Sequence, residues 1–442
     1  MIETTAKLQK YDAYKDSGIE WLGDIPKHWN TLPIRAIFEE RNEKNDGPKT
    51  DFILSVTKNR GVIPYDEKGA IGNNKSEDIE RYKLVYPNDF VINKMNVVIG
   101  SLGMSKYFGA FSLVYLVYKP KTKEINMNYY SYLFSNPSFY KSLIRYCKGI
   151  MALRESLDKN DFKKLVLPFP KIDTQTRIVD FLDDKTSKID EAINIKEQQI
   201  NLLKERKQIL IYKAVTQGLN PNANLKNSGV AWIGNIPEQW VKLNIGRVLI
   251  NLEQGDSPSI SNIDNEFYAL KLSAIKEGKF ISNEYKPINS LNYQKRFQIN
   301  KNDFLLTRGN TPELVGDSCI VKNDIQKKIM FSDLVYRLKF DEKSIDLDYM
   351  LSCFQSVIFR RQIINSARGS SSTMVKVSQG HIKSWFFFKP PLSEQKEISV
   401  YIEIASQKID TAINLKQQEI AKLKEYKSSL INSVVTGKVR VI

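Results

Sequence analysis

The chain has 442 residues, too many for one hydrophobic core, so two or more domains are expected. A composition of 42% hydrophobic and 11% aromatic residues is typical of a globular protein and excludes a disordered one. No apolar run approaches the roughly 20 residues that span a bilayer. The net charge of +16 favours a polyanionic partner such as nucleic acid.

The N-terminus has no apolar stretch of the kind found in a secretory signal. Three widely spaced cysteines, Cys147, Cys319 and Cys353, predict neither a disulfide framework nor a zinc site. We therefore expect the protein to be cytoplasmic.

The positive charge is concentrated in two segments. Residues 1–172 contain 27 Lys and Arg against 20 Asp and Glu, and residues 218–392 contain 23 against 16. Residues 173–217 and 393–436 are neutral, with 8 against 8 and 6 against 6. A polyanion would therefore be held by two separate basic lobes.

In chain order, a polar arm at residues 1–13 precedes a segment that occurs twice. Ser17–Trp29 returns 211 positions later as Ser228–Trp240, with Ser, Gly, Trp, Gly, Ile, Pro and Trp at matching places. Glycine and proline fix turns and tryptophan anchors a segment in apolar surface. Both copies are interpreted as structural lead-ins to a lobe.

The middle of each lobe shows short strands followed by a helical pattern. The predicted strands are Phe52–Val56, Asp89–Asn93, Phe111–Tyr118, Asp303–Thr307 and Leu334–Phe340, and the predicted helical stretches are Asn128–Arg145 and Asp346–Ile364. A helix boundary is predicted at Asn136–Phe139. The offset between copies grows to 214 and then to 220 residues, which indicates a duplication with insertions.

A long heptad helix follows each lobe, near Leu182–Ala214 and near Ile402–Val434, with Asp173 and Ser393 as predicted N-caps and Gly218 as the first stop. About 45 residues at 1.5 Å each would make a rod of roughly 65 Å. The two stripes match residue for residue at an offset of 220, which predicts that the helices pair with each other. The predicted seam residues are Leu182, Ile189, Ile193, Ile200, Leu203, Leu210, Ile402, Ile409, Ile413, Ile420, Leu423 and Leu430.

Four lysines interrupt this seam: Lys196, Lys207, Lys416 and Lys427. One interpretation is that they extend from the rim of the coiled coil to solvent. The other is that they fix the register of the helices or face partner subunits.

No catalytic constellation is found in the sequence. His28 and His381 are the only histidines, which argues against a Ser-His-Asp triad or a histidine metal site. Gly69–Ser76 superficially looks like a phosphate loop, but the residue directly before its lysine is not the glycine that this motif requires. The chain is therefore predicted to be non-catalytic, with no metal site.

The doubled order of these motifs resembles the specificity subunit of type I restriction–modification systems. The resemblance rests on the paired segments Ser17–Trp29 with Ser228–Trp240, Pro170–Gln175 with Pro390–Gln395, and Val215–Gly218 with Val435–Gly437. It covers nearly the whole chain. Lys171–Gln175 departs from the Pro-Pro-Leu-x-Glu-Gln pattern that the family favours and that the second copy keeps.

The resemblance implies an α+β fold with two repeated α/β target-recognition domains, separated by two long helices that form an antiparallel intramolecular coiled coil. The expected boundaries are 1–172 for the first domain, 173–219 for the first spacer helix, 220–392 for the second domain, and 393–442 for the second spacer helix and tail. Each domain would read one part of a split, asymmetric site in double-stranded DNA.

The resemblance also implies partners that supply the chemistry. Two methyltransferase subunits would bind S-adenosylmethionine and methylate adenine at N6, and restriction subunits would use ATP with Mg for translocation and cleavage. This chain would itself hold no cofactor.

The candidate DNA-binding residues are basic, amide and hydroxyl side chains in Gly/Ser-rich loops that differ between the copies, because these groups contact phosphates and base edges. They are Lys58, Asn59, Arg60, Lys94, Asn96, Lys106, Lys148 and Arg154 in the first lobe, and Arg308, Asn310, Arg368, Ser370, Ser371, Ser372 and Lys376 in the second.

Two other functional classes remain open from the sequence alone. One is a two-lobed DNA-binding protein that acts without enzymatic partners, which co-purification of methyltransferase subunits would separate from the first. The other is a coiled-coil scaffold whose lobes bind protein, which the absence of salt-dependent duplex binding would favour.

Overall fold

The computed structural model describes residues 9–47, 49–58, 60–69, 78–149, 156–261, 266–371 and 374–441, without the side chains of residues 370 and 371. The chain divides into two compact units. Unit 1 comprises residues 1–196 and 418–442, and unit 2 comprises residues 197–417. Among the described helices, none combines the length and apolarity that a membrane crossing requires.

The two long helices dominate the secondary structure, and each belongs partly to both units. In chain order the α-helices are α1 Ile34–Ile37, α2 Met127–Ser135, α3 Pro137–Ser142, α4 Lys159–Lys164, α5 Ile172–Gln217, α6 Leu347–Gln355, α7 Val357–Ser366, α8 Gln379–Ser384 and α9 Leu392–Val435. Helix α5 stops before Gly218, whose φ of 73° is the left-handed conformation that ends helices. The predicted stop at Gly218 is confirmed.

The predicted N-caps of both long helices are wrong, since each lies two residues beyond the residue that precedes its helix. Asp173 and Ser393 are the second residues of α5 and α9 and lie inside the helices. The amides of Gln175 and Gln395 donate to the carbonyls of Lys171 and Pro391, both at 3.0 Å, so each helix begins earlier.

These glutamines fasten the long helices to their lobes in the same way. Gln175 and Gln395 are fully buried, and each donates from Nε2 to the carbonyl of a proline five residues earlier, at 2.8 and 2.9 Å. The Oε1 of each accepts a lobe amide, from Asn126 at 2.8 Å and from Asp346 at 2.9 Å.

The coiled-coil seam is confirmed. Of the twelve predicted seam residues, none is exposed, and only Leu203, Leu210 and Leu423 are half-buried. Ion pairs join the helices: Lys427 to Asp190 at 2.6 Å in unit 1, and Lys207 to Asp410 at 2.8 Å in unit 2. The start of α5 therefore lies beside the end of α9, and the end of α5 beside the start of α9, which makes the pair antiparallel.

The strands show the duplication. In unit 1 they are β1 Tyr14–Asp16, β2 Asp24–Pro26, β3 Asn30–Pro33, β4 Phe38–Glu40, β5 Leu54–Thr57, β6 Gly61–Pro64, β7 Lys83–Val85, β8 Phe90–Asn93, β9 Leu102–Met104, β10 Gly109–Phe111, β11 Tyr115–Pro120, β12 Cys147–Lys148, β13 Ser156–Leu157 and β14 Val166–Phe169. In unit 2 they are β15 Leu225–Asn227, β16 Asn235–Pro237, β17 Val241–Asn244, β18 Leu249–Gln254, β19 Phe267–Leu270, β20 Ile275–Lys276, β21 Lys279–Phe280, β22 Tyr285–Pro287, β23 Phe304–Thr307, β24 Gly309–Asn310, β25 Ser318–Ile320, β26 Lys328–Met330, β27 Val335–Phe340, β28 Arg368–Ser371, β29 Met374–Lys376 and β30 Phe386–Lys389.

Each unit is built on an antiparallel four-stranded sheet, in the order β4-β11-β8-β9 in unit 1 and β18-β27-β23-β25 in unit 2. The strand pair β3–β14 in unit 1 corresponds to β17–β30 in unit 2. Unit 2 adds the sheet β22-β19-β26 and a second three-stranded sheet, β24-β29-β28. The shared framework with different additions confirms two repeated α/β domains beside a long antiparallel helix pair.

The lead-in segments are hairpins. Strands β1–β2 and β15–β16 pair in the same register, and Trp29 and Trp240, which follow them, are 1% and 0% exposed. Trp240 belongs to the large hydrophobic core of unit 2, which also contains residues from both long helices. The lead-ins therefore anchor each domain to the helices, as a structural segment would.

The predicted middle elements exist but are more broken than the sequence suggested. The strand Phe111–Tyr118 is interrupted, since β10 ends at Phe111 and β11 begins at Tyr115. The helical stretches split into α2–α3 and α6–α7. Asn136, at the predicted boundary, ends α2 and caps α3 by accepting the amide of Ser138 at 2.9 Å.

Candidate nucleic-acid interface

The loops that follow the central strands β8 and β23 carry predicted residues at equivalent places. Lys94 comes directly after β8, and Arg308 comes directly after β23. The carbonyl of Lys94 accepts the amide of Leu157 at 3.0 Å, and the carbonyl of Arg308 accepts the amide of Val377 at 2.9 Å. The two units thus hold a basic residue in the same backbone setting, at the end of the same strand.

In unit 1 this setting brings Lys94 and Lys148 to neighbouring segments. Lys148 is an exposed residue of β12, which pairs with β13, the strand containing Leu157. Its Nζ binds Asp161 at 2.5 Å and Asp158 at 3.3 Å. Asn96 lies two residues beyond Lys94 and is exposed.

Three further lysines surround Glu40 close to Lys94. The Glu40 carboxylate, only 4% exposed, binds Lys159 at 2.6 Å and Lys163 at 2.9 Å, and Lys83 lies 3.8 Å away. Burial alone would raise the pKa of Glu40, but the two lysines of α4 outweigh it and lower the pKa. Burial lowers the pKa of Lys83, and the charges of Lys159 and Lys94 lower it further, against the opposing effect of Glu40.

The group of Glu40, Lys83, Lys159 and Lys163 is called the Glu40 cluster below. Its formal charge is +2, because one carboxylate faces three ammonium groups. The sequence analysis missed these lysines, since they come from β7 and α4 and meet only in the folded unit. The spacing of Lys159 and Lys163 on one face of a helix was the available signal.

The other predicted residues of unit 1 are dispersed. Lys58 and Arg60 are exposed at the β5–β6 turn, where Arg60 binds Glu67. Lys106 is exposed beyond β9, beside the start of β8, and therefore lies at the opposite end of that strand from Lys94. Asn59 and Arg154 lie outside the described residues.

In unit 2 the predicted residues converge on the sheet β24-β29-β28. Gly309 and Asn310 of β24 pair with Lys376 and Val375 of β29, which in turn pairs with β28. This sheet contains Asn310, Arg368, Ser370, Ser371 and Lys376, and Arg308 immediately precedes it. Ser372 lies outside the described residues.

The basic side chains around this sheet are engaged to different extents. Arg308 is half-buried: its Nη1 donates to the carbonyl of Asp333 at 3.3 Å, and no described residue accepts a hydrogen bond from its buried Nε. Arg368 is exposed and donates to the carbonyls of Asn365 at 2.8 Å and Ala367 at 3.0 Å. Lys376 is exposed.

Unit 2 has a second basic edge, whose residues were not among the predicted DNA-binding residues. The Nζ of Lys327 lies 4.6 Å from the ring centre of Tyr285 and 4.9 Å from that of Tyr268, and Lys328 lies 4.9 Å from that of Phe267. All belong to or border the sheet β22-β19-β26. The available signals were the lysine pair Lys327–Lys328 and the aromatic pair Phe267–Tyr268.

The described residues contain no group of His, Cys, Asp and Glu side chains arranged to hold a metal ion. Cys147, Cys319 and Cys353 form no disulfide bond within the described part of the chain. Burial raises the pKa of the Cys353 thiol to about 12.

Three of the four seam lysines bind acids on the opposite helix, as the interpretation that they fix register requires. Lys207–Asp410 and Lys427–Asp190 are related by the same offset of 220, so the two pairs are equivalent. Lys196 binds Glu419 at 2.6 Å. The matching partner for Lys416 would be residue 199, which is glutamine.

The family model of the Type I restriction modification DNA specificity domain matches this chain twice, at residues 26–205 and 237–425. The chain belongs to this family. The two matches correspond to the two lobes, each with a large part of the helix that follows it.

Named relatives extend over nearly the whole chain. The putative type I restriction enzyme MjaX specificity subunit of Methanocaldococcus jannaschii is 23% identical over 95% of this chain and 96% of its own length. The MjaVIII specificity subunit of the same organism is 24% identical over 94% of both. A chain in a solved type I R-M system, studied for complex assembly and conformational transition, covers 93% of this chain and 98% of its own length with a TM-score of 0.68 and 13% identity. This last likeness shows the fold alone.

Proposed function

We propose that this specificity-family chain reads a bipartite, asymmetric DNA target, with one half-site for each unit. The observation that carries the proposal is the equivalent placement of Lys94 and Arg308 after matching strands, in loops whose other residues differ. A shared frame positions both units on DNA in the same manner. Different side chains at its edge then select different bases.

The physical basis separates affinity from specificity. The excess of seven positive charges in each of residues 1–172 and 218–392 attracts the phosphate backbone, which gives salt-dependent affinity without sequence preference. Arg308 and Asn310 are suited to base edges, since guanidinium groups pair with guanine and amides with adenine in the major groove. The Glu40 cluster, rich in lysine, is better suited to phosphates.

We also propose that the chain is the non-catalytic part of a larger assembly that works in the cytoplasm. Two methyltransferase subunits would bind S-adenosylmethionine and methylate adenine N6 within the target. Restriction subunits would add ATP- and Mg-dependent translocation and cleavage. The neutral helices, with their exposed apolar residues Ile195, Leu202 and Leu415, are the surface we assign to the methyltransferase subunits.

The α5–α9 pair is proposed to set the spacing between the half-sites. Its neutrality argues against a direct role in DNA binding, and its continuous helices provide a fixed length. Spacing would then depend on helix length, and base choice on the loops of the units.

Methylation mapping tests the proposal. The chain would be expressed with a type I methyltransferase subunit from the same host, and modified adenines in the host DNA would be located by sequencing. We expect two short, different sequences separated by a spacer of constant length. One continuous palindrome, or methylation independent of this chain, would contradict the proposal.

A further inference from the structure

A cavity of about 400 Å³ lies in unit 1, where the N-terminal arm meets the first turns of α5 and the end of α9. Its wall includes Lys27, His28, Thr174, Arg177 and Arg440. The arm and the C-terminal tail are joined beside it, because the amide of Arg440 donates to the carbonyl of Gln9 at 2.7 Å. The cavity is therefore bounded by backbone that is held in place.

The duplication shows how the matching position in unit 2 is used. There the carboxylate of Glu394 accepts hydrogen bonds from the indole N–H of Trp240 at 3.0 Å and from the side-chain amide of Gln239 at 3.1 Å. A carboxylate from the first turn of α9 thus satisfies the buried tryptophan of the lead-in.

Unit 1 keeps the tryptophan and lacks the carboxylate. Residue 174, which corresponds to Glu394 at the offset of 220, is threonine and lines the cavity. Trp29, the counterpart of Trp240, is 1% exposed, and its buried Nε1 has no hydrogen-bond partner among the described residues. A buried donor without a partner is costly, so the site favours an added acceptor.

The charges around this position also differ between the units, and those of unit 1 favour an added carboxylate. Glu238, Glu394 and Glu397 of unit 2 correspond to Lys27, Thr174 and Arg177 of unit 1, so three negative charges are replaced by two positive ones. Arg440 adds a third cation to the wall, and Asp12 is the one acidic residue among the lining residues described.

The arginines lie close enough to act together. Burial raises the pKa of Tyr11, which also lines the cavity, and the charges of Arg177 and Arg440 both oppose that rise. The ring of Tyr11 packs 5.4 Å from that of His28 and 6.0 Å from that of Trp29. Tyr11, His28 and the cationic groups therefore line one space, and the Trp29 ring packs directly behind Tyr11.

We propose that this cavity is a carboxylate-binding site, in which a ligand carboxylate takes the place that Glu394 holds in unit 2. The indole N–H of Trp29 donates to it, and Lys27, Arg177 and Arg440 balance its charge. The ligand is a free polycarboxylate or an acidic side chain of a polypeptide, since both offer the same group. The site is independent of the proposed DNA-reading loops.

The test follows the Trp29 indole N–H by NMR in full-length chain labelled at tryptophan. The probes are citrate, a blocked tri-glutamate peptide and inorganic phosphate. We expect a carboxylate probe to shift the Trp29 signal and to leave the Trp240 signal in place, and the tighter of the two carboxylates identifies the source. No shift with either carboxylate, or an equal effect of phosphate, would overturn the proposal.

Two variants and two controls make the assignment specific. T174E supplies the missing carboxylate from within the chain, so the Trp29 signal should move before any probe is added. Citrate should then cause no further shift of that signal. R177E should weaken citrate binding roughly tenfold or more, whereas K339E, at an exposed lysine of unit 2, should not. Equal weakening by both charge reversals would refute the site.

The second control is E394T, which removes the carboxylate in unit 2 and leaves Glu238 and Glu397 in place. Its Trp240 signal should move on loss of the hydrogen bond but should not respond to citrate. An unmoved Trp29 signal in this variant shows that unit 1 stays folded. Citrate binding at Trp240 in E394T would show that the positive charges of unit 1 are irrelevant, against the proposal.

Discussion

The backbone carbonyls of Lys94 and Arg308 accept hydrogen bonds from equivalent residues of the two units. Their side chains differ in what they can recognise. Arg308 is held at one edge by the carbonyl of Asp333, so the rest of its planar guanidinium is fixed in direction. Lys94 lies beside the Glu40 cluster and is a point charge on a flexible stem. We therefore assign base reading to Arg308 and phosphate binding to Lys94.

Substitution by glutamine should separate these roles. R308Q should weaken target binding by about 1–3 kcal/mol and relax recognition at one position of one half-site. K94Q should weaken binding to all duplexes evenly and reduce the salt slope by about one. Fluorescence anisotropy on the mapped target and on variants of it, over a range of salt concentrations, measures both.

Lys204, exposed on the neutral helix α5, provides the control. K204Q should leave affinity and salt slope unchanged. If R308Q lost affinity evenly for every sequence, its role would be phosphate binding and the assignment would be wrong.

Gln175 is a residue whose effect on stability can be isolated. Its side chain donates to the carbonyls of Pro170 at 2.8 Å and Glu124 at 3.2 Å, and accepts the amide of Asn126 at 2.8 Å. Q175L leaves these buried groups unpaired, so it should lower the free energy of unfolding by about 3 kcal/mol. Urea denaturation measures the loss. Q395L should cost a similar amount in unit 2, and Q198L, at an exposed position of α5, should cost little.

At the scale of elements, the ion pairs of the seam make the helix pair sensitive to acid. Burial raises the pKa of Asp410, but Lys207 and Lys279 outweigh it and lower the pKa below its ordinary value. A carboxyl group whose pKa is lower in the folded chain stabilises it above its ordinary pKa, and this contribution is lost as the pH falls through the lowered pKa.

Removal of the partner lysine should reduce that dependence on pH. K207M should raise the pKa of Asp410, so the variant should lose less stability than the wild type as the pH falls from about 6 to about 3. Urea unfolding at a series of pH values measures the difference. K204M, at an exposed position of α5, is the matched control and should leave the pH profile of the wild type unchanged. Identical pH profiles of K207M and the wild type would show that the pair contributes nothing.

The elements also show how far sequence reasoning reaches. The seam and the lead-ins were predictable because a heptad repeat and a doubled turn motif are local patterns. The duplication also shows each pattern twice in the sequence. The break at Asn136 had a proline beside it, whereas the break before Val357 had only Ser356, which is common inside helices. Local signals thus gave the elements but not every end.

The candidate interface was less predictable because it forms by long-range pairing. Arg308 meets Val377 across nearly seventy residues, and Glu40 meets Lys159 across more than a hundred. Differences between the copies pointed to loops of unit 2 that one sheet brings together. They gave no indication of the Glu40 cluster, whose lysines lie outside the loops that were compared.

At the scale of the whole molecule, the proposed spacer role makes helix length the quantity to vary. Insertion of one heptad in α5 and one in α9, opposite each other, keeps the apolar seam in phase and adds about 10 Å to each helix. The half-sites should stay the same, because the loops of both units are untouched, and the spacer should grow by about three base pairs at 3.4 Å each. Methylation mapping of cells that carry this variant measures the new spacer. Insertion in α5 alone leaves the inserted seam residues of α5 without partners on α9 and should abolish specific methylation. New half-sites with an unchanged spacer would assign base choice to the helices, against the division of roles proposed for this chain.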